Sequence, residues 1–235
     1  MWMVPTWIAK KIHKIYWRDR FVRWCYIGIL KIVGIRLTVY GELSSTRPLL
    51  LITNHLSYLD VMILGAAVPV RFTPKSEVAK WPLINTICRM CDAIFIDRRT
   101  DKIRQMSGAL RESLAQGVVC LFPEGTTGDG LHLMPFKSSF FSIAEEPIHG
   151  RRVTVQPAAI RYTHIRKLPL DSTQWPDIAW YGDMVLLPHL FHVLKMGIIH
   201  AELIFLPTVP LHDSIDRKEM AAKCFNAINE ALHNN

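Results

Sequence analysis

Short aliphatic runs that alternate with stretches of helical periodicity are the feature that most constrains the fold of this 235-residue chain. The clearest runs are LLLI (49–52), AIFI (93–96) and VVCLF (118–122), none of which holds a charge. Uncharged branched runs of this length are typical of parallel strands that are covered on both faces. The alternation therefore predicts an α/β fold, a single sandwich with a mixed, largely parallel sheet flanked by helices.

Further elements of this sandwich are predicted along the whole chain. The additional strands and helices are expected at 71–75, 101–115, 153–162, 201–209 and 214–232. The stretch 166–190 is rich in proline and tryptophan and is expected to be irregular. No repeat or linker divides the chain after residue 40, so residues 41–235 are predicted to form one domain.

The first 40 residues differ from the rest in charge. They hold eight of the 28 Lys and Arg residues against one acid, Asp19, which gives +7 of the chain's net +8. They also hold four of the seven tryptophans, around a helical pattern with one apolar and one basic side. A basic amphipathic helix flanked by tryptophan is typical of a segment that lies in the bilayer interface. Residues 1–40 are therefore predicted to be a helical membrane-binding segment.

Other interpretations of this segment are weaker. Its most apolar stretch, residues 24–35, is interrupted by Lys31 and falls short of the ~20 residues needed to span a bilayer. No small-residue cleavage site follows, so a signal peptide is not predicted. A helix packed on the domain with a solvated basic face stays open as an alternative. A nucleic-acid arm is disfavoured, because the tryptophan and isoleucine content exceeds what phosphate neutralisation needs.

The run LLLI ends in a polar turn, NHLSYLD (54–60), before an apolar helical stretch begins. Ser57 and Asp60 have the spacing of a capping box, which by itself would explain the acid as a helix start. The alternative is functional, because a carboxylate bonded to one ring nitrogen of His55 would leave the other nitrogen as a general base. A carboxylate has two oxygens, so both interpretations can hold at once.

Polar residues also follow other predicted strands. Lys75 follows RFT, Arg98 follows AIFI and Glu124 follows VVCLF. Each alone is ambiguous, since a turn or a surface charge explains it equally well. Because the carboxyl ends of parallel strands converge at one edge of a sheet, these three side chains can line one cleft with His55 and Asp60.

Four short motifs, in order, resemble those of the glycerolipid acyltransferases related to bacterial 1-acyl-glycerol-3-phosphate acyltransferase. The first, N-H-x4-D, is present as Asn54, His55 and Asp60, and the third, F-P-E-G-T, is unbroken at 122–126. The second, K-x-E followed by F-I-D-R, lies within 75–98. The fourth, a hydrophobic strand with a proline, is matched more loosely by VTVQPAAI.

The resemblance implies an O-acyltransferase that moves a fatty acyl group from an acyl carrier protein or coenzyme A thioester to a lysolipid hydroxyl, most typically that of lysophosphatidate. In such an enzyme His55 takes the proton of the attacking hydroxyl, and Asp60 orients His55 and stabilises the imidazolium. Lys75 and Arg98 attract an anionic head group, and Glu124 orients the acceptor. Neither a metal nor a cofactor is implied, because a thioester is already an activated donor.

The backbone N–H groups near Gly125 and Thr126, or at the helix start after Ser57, are the candidate donors to the developing oxyanion. One residue departs from the family pattern: Thr127 stands where an arginine commonly follows F-P-E-G-T. A hydroxyl supplies one neutral hydrogen bond in place of a bidentate fork, so phosphate recognition would need another cation, for which Lys137 is the candidate. The alternative acceptor is lyso-ornithine lipid, whose head group carries no phosphate.

The resemblance places the protein as a peripheral or monotopic enzyme on the cytoplasmic face of a membrane, with no nucleic-acid partner. Five cysteines without a disulfide or zinc pattern fit this reducing compartment. Two functions from other classes stay open. A metal-dependent hydrolase would need a second cluster of ligands, and the remaining histidines are scattered. A membrane-binding scaffold would explain the basic arm but not four motifs at strand ends.

Overall fold

The computed structural model of the protein describes residues 6–74, 93–95, 107–171, 173–210 and 215–233. Within this part of the chain one mixed sheet is covered by helices on both faces, which confirms the predicted α/β sandwich. The strands are β1 (Ile35–Tyr40), β2 (Leu49–Thr53), β3 (Arg71–Phe72), β4 (Val118–Leu121), β5 (Thr154–Ile165), β6 (Leu168–Pro169) and β7 (Ile199–Phe205). The helices are α1 (Thr6–Val33), α2 (Tyr58–Ala67), α3 (Ser107–Gln116), α4 (Trp175–Ile178), α5 (Leu186–Met196) and α6 (Arg217–His233), with a 3₁₀ helix at Ser138–Ala144.

The sheet order is β1-β7-β5-β2-β4-β3, and β6 pairs with the end of β5. β2 lies between β4 and β5 and is parallel to both, while β7 is antiparallel to β5. The four aliphatic residues of β2 are fully buried, as the uncharged run LLLI predicted. α1, α2 and α5 contribute to the core on one face of the sheet, and α3, α6 and the 3₁₀ helix to the core on the other.

Two predicted elements differ from the structure. Residues 93–95, expected to begin a strand, form none, although the Ile94 N–H donates to the Phe72 carbonyl at 2.9 Å. The expectation of an irregular stretch at 166–190 is wrong in part, because it contains the two-residue strand β6 and the one-turn helix α4, and α5 begins at Leu186. Pro188 lies in the first turn of α5, where backbone N–H groups have no partner within the helix, so its missing donor does not break the helix.

The amino-terminal segment contains a helix that ends earlier than predicted. α1 stops at Val33, and residues 35–40 form the edge strand β1 paired with β7. The last turns of α1 are part of the core, since Tyr26 and Leu30 are buried and Arg23 Nε donates to the Ala66 carbonyl of α2 at 2.8 Å. No helix within the described residues is long and apolar enough to cross a bilayer.

The length of β5 shapes the region beyond the end of β2. Thr53, the last residue of β2, pairs with Ala158, and β5 continues from there to Ile165. β7 pairs along this extension and β1 pairs with β7. These strands therefore form a wall that stands past the carboxyl end of β2, where the polar turn 54–57 begins.

Candidate active site

The turn between β2 and α2 holds a histidine–aspartate pair. His55 Nδ1 lies 2.9 Å from Asp60 Oδ2, and Asp60 is completely buried. The same oxygen accepts the backbone N–H groups of Leu56 at 2.7 Å and Ser57 at 2.9 Å. Because a carboxylate accepts hydrogen bonds, this contact favours the tautomer of a neutral His55 with the proton on Nδ1 and the lone pair on Nε2. Asp60 therefore makes both the contact that the capping interpretation requires, with the Ser57 N–H, and the contact that the functional interpretation requires, with the His55 ring.

Tyr162, which the sequence analysis missed, completes the environment of the carboxylate. Its hydroxyl donates to Asp60 Oδ1 at 2.7 Å across 102 residues of sequence. Burial, followed by the nearby Asp60 charge, raises the pKa of Tyr162 well above its ordinary value, so the phenol stays protonated as a donor. Nothing local in the sequence signals this contact, because it depends on the alignment of β5 beside β2.

The F-P-E-G-T segment and the residues after it contact both the backbone and the ring of His55. The His55 N–H donates to Glu124 Oε1 at 2.6 Å, and the His55 carbonyl accepts the Gly128 N–H at 3.0 Å. The Phe122 ring stacks on the imidazole with a centroid distance of 3.9 Å and an interplanar angle of 19°. The first and third motifs are thus one structural unit, in which both the backbone and the ring of His55 are fixed.

Two further hydrogen-bonded links hold the turn in place. The Asn54 side-chain amide donates to the Ile160 carbonyl at 2.9 Å and accepts the Ile160 N–H at 2.8 Å. It thereby continues the pairing of β2 with β5 where the backbone of β2 turns away. The Leu56 carbonyl accepts the Trp180 N–H at 3.0 Å, from the segment between α4 and α5. Such complete pairing of a turn makes the position of His55 well defined.

Glu124 lies beside His55, as the convergence of strand ends predicted. Its second oxygen, Oε2, accepts the Met134 N–H at 3.1 Å, so each carboxylate oxygen holds a backbone group. Burial raises the pKa of Glu124 to about 7. The two backbone hydrogen bonds lower the pKa, but their effect is smaller than that of burial. These contacts make Glu124 a residue that positions His55, in addition to its predicted role in orienting the acceptor.

The raised pKa of Glu124 predicts a pH-dependent stability. Its pKa is about 7 in the folded chain against 4.5 ordinarily, so ionisation costs folding free energy as the pH rises from 4.5 through 7. Glu124→Gln loses one backbone acceptor at every pH but does not ionise. We expect the unchanged protein to lose stability relative to Glu124→Gln between about pH 5 and about pH 8, by at most ~3 kcal/mol in the free energy of unfolding. The difference between their melting temperatures should change in the same direction. A constant offset in differential scanning fluorimetry would contradict this expectation.

The structure narrows the candidate oxyanion donors. The N–H groups of Leu56 and Ser57 are bound to Asp60, and the Gly125 N–H donates to the Phe122 carbonyl at 3.0 Å. The N–H groups of Thr126 and Thr127 have no acceptor within the described residues. Thr126 and Thr127, beside the F-P-E-G-T turn, therefore keep backbone donors without a competing acceptor, and the helix start after Ser57 stays a predicted location.

The predicted cations fall into two groups. Lys137 lies against the turn, because a Cβ placed on Gly125, which has φ of +78°, would come within 2.7 Å of Lys137 Nζ. Lys75 and Arg98 lie outside the described residues, so their approach to His55 stays a prediction. Thr127 is half-buried in the loop after the turn.

A cleft of about 560 Å³ opens beside His55 along the wall formed by β5 and β7. Arg161 and Glu202, which the sequence analysis also missed, lie across from each other on this wall. Arg161 Nε and Nη2 both donate to Glu202 Oε2, at 2.9 and 2.7 Å. Apolar residues line much of the remaining cleft, among them Leu131, Leu133, Leu170 and Trp175. An aspartate-bound histidine at the edge of a cleft is an arrangement that enzymes with a general base commonly use.

Comparisons with known proteins identify the family. A family model for acyltransferases matches residues 36–161. Lyso-ornithine lipid O-acyltransferases of Rhizobium meliloti (strain 1021) and Brucella abortus (strain 2308) are 36% and 33% identical to this chain. The alignments cover 81% and 92% of this chain and 67% and 83% of theirs. The chain therefore belongs to the acyltransferase family, and it is an acyltransferase.

Two further relatives extend the comparison. The 1-acyl-sn-glycerol-3-phosphate acyltransferase of Neisseria meningitidis serogroup B is 34% identical over 139 residues, 57% of this chain and 52% of its own. The crystal structure of the 1-acyl-sn-glycerophosphate acyltransferase of Thermotoga maritima superposes with a TM-score of 0.58 at 17% identity. It covers 91% of this chain and 77% of its own. At that identity the structural match shows that the fold is shared.

Proposed function

We propose that this acyltransferase moves a fatty acyl group from a thioester to the hydroxyl of a lysolipid, with His55 as the general base. The observation that carries the proposal is the contact between His55 Nδ1 and Asp60. Because His55 lines the cleft, its other ring nitrogen, Nε2, is the base that the proposal uses. The names of the relatives support it, because each acts as an acyltransferase on a lysolipid.

The proposed reaction needs one proton carrier and one anion site. Nε2 of His55 takes the proton of the acceptor hydroxyl as its oxygen bonds to the thioester carbonyl carbon. The carbonyl oxygen becomes an oxyanion, which the N–H groups of Thr126 and Thr127 stabilise. When the C–S bond breaks, the leaving thiolate receives the proton from the His55 imidazolium. The products are an ester and a free thiol, and Asp60 stabilises the imidazolium between these two steps.

Neither a metal nor a cofactor takes part in this proposal, since the acyl carrier protein or coenzyme A thioester is the activated donor. Lys75, Arg98 and Lys137 are the proposed cations for the acceptor head group, and Glu124 and Gly125 shape the turn beneath it. Assay of the purified protein with a chelator distinguishes this proposal from a metal-dependent hydrolase. Acyl transfer should persist in the chelator, whereas the activity of a metal-dependent hydrolase would be lost. Release of free fatty acid in place of a lipid ester would contradict the transferase.

For the acceptor, we propose lyso-ornithine lipid, with lysophosphatidate as the second candidate. Thr127 lacks the charge of the arginine that commonly binds phosphate in this family, and the relatives with the longest matches act on lyso-ornithine lipid. The cleft wall also presents both signs of charge, since Glu202 Oε1 accepts no hydrogen bond within the described residues. An ornithine head group carries an ammonium, which the free oxygen of the Glu202 carboxylate complements. The Neisseria relative supports lysophosphatidate.

Thr127→Arg tests the role of the missing arginine. If Thr127 faces the head group, the substitution adds a charge-assisted hydrogen bond worth ~1.5–3 kcal/mol, or roughly ten- to hundredfold in affinity for phosphate. We expect KM for lysophosphatidate to fall relative to KM for lyso-ornithine lipid. Thr127→Gln, which is long but uncharged, is the matched control and should not change the ratio. An unchanged ratio for Thr127→Arg would show that this position does not face the head group.

Glu202→Gln tests whether the ion pair on the cleft wall recognises the acceptor. Loss of the carboxylate should raise KM for lyso-ornithine lipid by about tenfold and leave KM for lysophosphatidate no higher. The exchanged pair, Arg161→Glu with Glu202→Arg, restores a cross-strand ion pair with the charges reversed. If the ion pair only stabilised the pairing of β5 with β7, this double variant would recover full activity. We expect it to stay as impaired as Glu202→Gln.

We propose that α1 lies in the membrane interface on the cytoplasmic face, where the thioester donors are found. The net charge of +7 in residues 1–40 supports this, together with Phe21 and Trp24, whose side chains are exposed in the second half of α1. Because Tyr26 and Leu30 are buried in the core, removal of the whole segment would damage the fold. Removal of residues 1–18 should instead weaken salt-sensitive binding to anionic vesicles while the domain stays folded.

A further inference from the structure

Helix α5 is apolar on both of its sides. Its buried positions are His189, Val193 and Met196. On the outer side Leu187 and Phe191 are each 62% exposed and Leu194 is 39% exposed. These three residues and Val185, which is 68% exposed just before the helix, form the α5 outer face. A stripe of large apolar side chains is normally covered, yet nothing in the described part of the chain covers this face.

The exposed side of α1 continues this apolar surface. Phe21, Trp24 and Ile32 have helical spacing and are 57%, 61% and 77% exposed. α1 and α5 are in contact on the same face of the sheet, and their ends meet closely. A Cβ on Gly34, just after α1, would lie 2.6 Å from the carbonyl oxygen of Gly197, just after α5. The two exposed sides therefore belong to one extended surface.

Cations border this surface. Arg166, in the turn between β5 and β6, donates to the last carbonyls of α5, from Nε to Met196 at 2.6 Å and from Nη2 to Lys195 at 2.8 Å. Lys167 and Lys195 are exposed beside it, and the exposed Leu168 extends the apolar area. Large apolar side chains bordered by lysine and arginine complement the acyl region and the anionic head groups of a bilayer.

The inner side of α5 contacts the catalytic turn. The Tyr58 hydroxyl lies 3.2 Å from His189 Nδ1, and the Tyr58 ring packs edge-on against His189 and Trp180. Tyr58 is the first residue of α2 and lies three residues after His55. The Trp180 N–H also donates to the Leu56 carbonyl. α5 therefore has an apolar outer face and an inner side that contacts Tyr58, the residue directly after the active-site turn.

We propose that the α5 outer face is a second membrane-binding surface, which lies in the interface of an anionic bilayer beside α1 and holds the cleft of His55 toward that bilayer. The proposal rests on the proposed function, since a lipid acceptor must reach the cleft from a membrane. A bilayer accounts for both the apolar faces of the two helices and the cations at their border. A second copy of the chain would account for the apolar faces but not for the bordering cations.

The test compares the double variant Leu187→Gln/Phe191→Gln with the matched control Val39→Gln. Val39 is also an exposed apolar residue, 45% exposed, but it lies toward the opposite end of β1 from Gly34. In cosedimentation with vesicles of phosphatidylcholine and phosphatidylglycerol, the double variant should lose at least about tenfold in binding, and the control should not. Turnover of a short-chain lysolipid dissolved as monomers should be unchanged. Undiminished vesicle binding by the double variant would overturn the proposal.

A photo-crosslinking residue at position 191 identifies the occupant without relying on turnover. On irradiation with vesicles we expect an adduct of the chain with phospholipid. A crosslinked species of twice the chain mass would overturn the proposal and assign the face to a second copy. Absence of acyl transfer to any lysolipid would instead contradict the proposed function, whether or not the lipid adduct forms.

Discussion

His55→Ala is expected to lower kcat to background, a loss on the order of 10³-fold. A general base contributes roughly 10²- to 10⁴-fold, and no other basic group within the described residues takes the place of His55 in the hydrogen-bonded turn. Turnover is measured with an acyl thioester and a lysolipid by following release of the free thiol. The substitution should leave the melting temperature nearly unchanged, because the turn keeps its backbone hydrogen bonds to Glu124 and Gly128.

The matched control for this substitution is His132→Ala. His132 lines the same cleft but is exposed and bonded to no carboxylate within the described residues. It should keep turnover close to that of the unchanged protein. Near-normal turnover by His55→Ala would show that His55 is not the base, whatever the control does.

Asp60→Asn is expected to have the second largest effect, on the order of 10²-fold in kcat. The carboxylate accepts four hydrogen bonds, from His55, Leu56, Ser57 and Tyr162. Asparagine offers one acceptor oxygen, and its NH₂ group would face donors. The imidazole then loses both its fixed tautomer and the charge that stabilises the imidazolium. A lower melting temperature should accompany the loss of activity, because a buried group is left without partners.

Tyr162→Phe separates the catalytic effect of Asp60 from the structural effect. It removes one donor to Oδ1 and leaves the His55 bond and both backbone bonds to Oδ2 intact. We expect a loss of about tenfold in kcat, from one charge-assisted hydrogen bond. If Asp60→Asn lowered the melting temperature but reduced kcat no more than Tyr162→Phe does, Asp60 would be a structural residue only.

The parts of the site that adjoin in sequence could be predicted from the sequence. His55 and Asp60 lie on one turn between a strand and a helix, and the helix start brings them within one hydrogen bond. The arrival of Glu124 beside them also follows from the sequence, because β2 and β4 are neighbouring parallel strands with the same carboxyl edge.

The contacts missed from the sequence depend on β5 and β7. Tyr162 reaches Asp60, and Arg161 reaches Glu202, only because β5 continues past the end of β2 and β7 pairs with the extension. Strand length and pairing partner are set by the whole sheet and leave no local pattern. α5 was missed for a related reason. Proline in its first turn resembles a loop signal, and its regular outer face carries apolar residues where a solvated helix would show charges.

The proposed reaction is tested most directly by transfer of a radiolabelled acyl chain from an acyl thioester to a panel of lysolipids by the purified full chain, with His55→Ala in parallel. We expect a labelled lipid ester and an equal amount of free thiol with lyso-ornithine lipid. We expect less product with lysophosphatidate, and no product with the variant. Labelled free fatty acid without any lipid ester, or equal ester formation by His55→Ala, would contradict the proposed reaction.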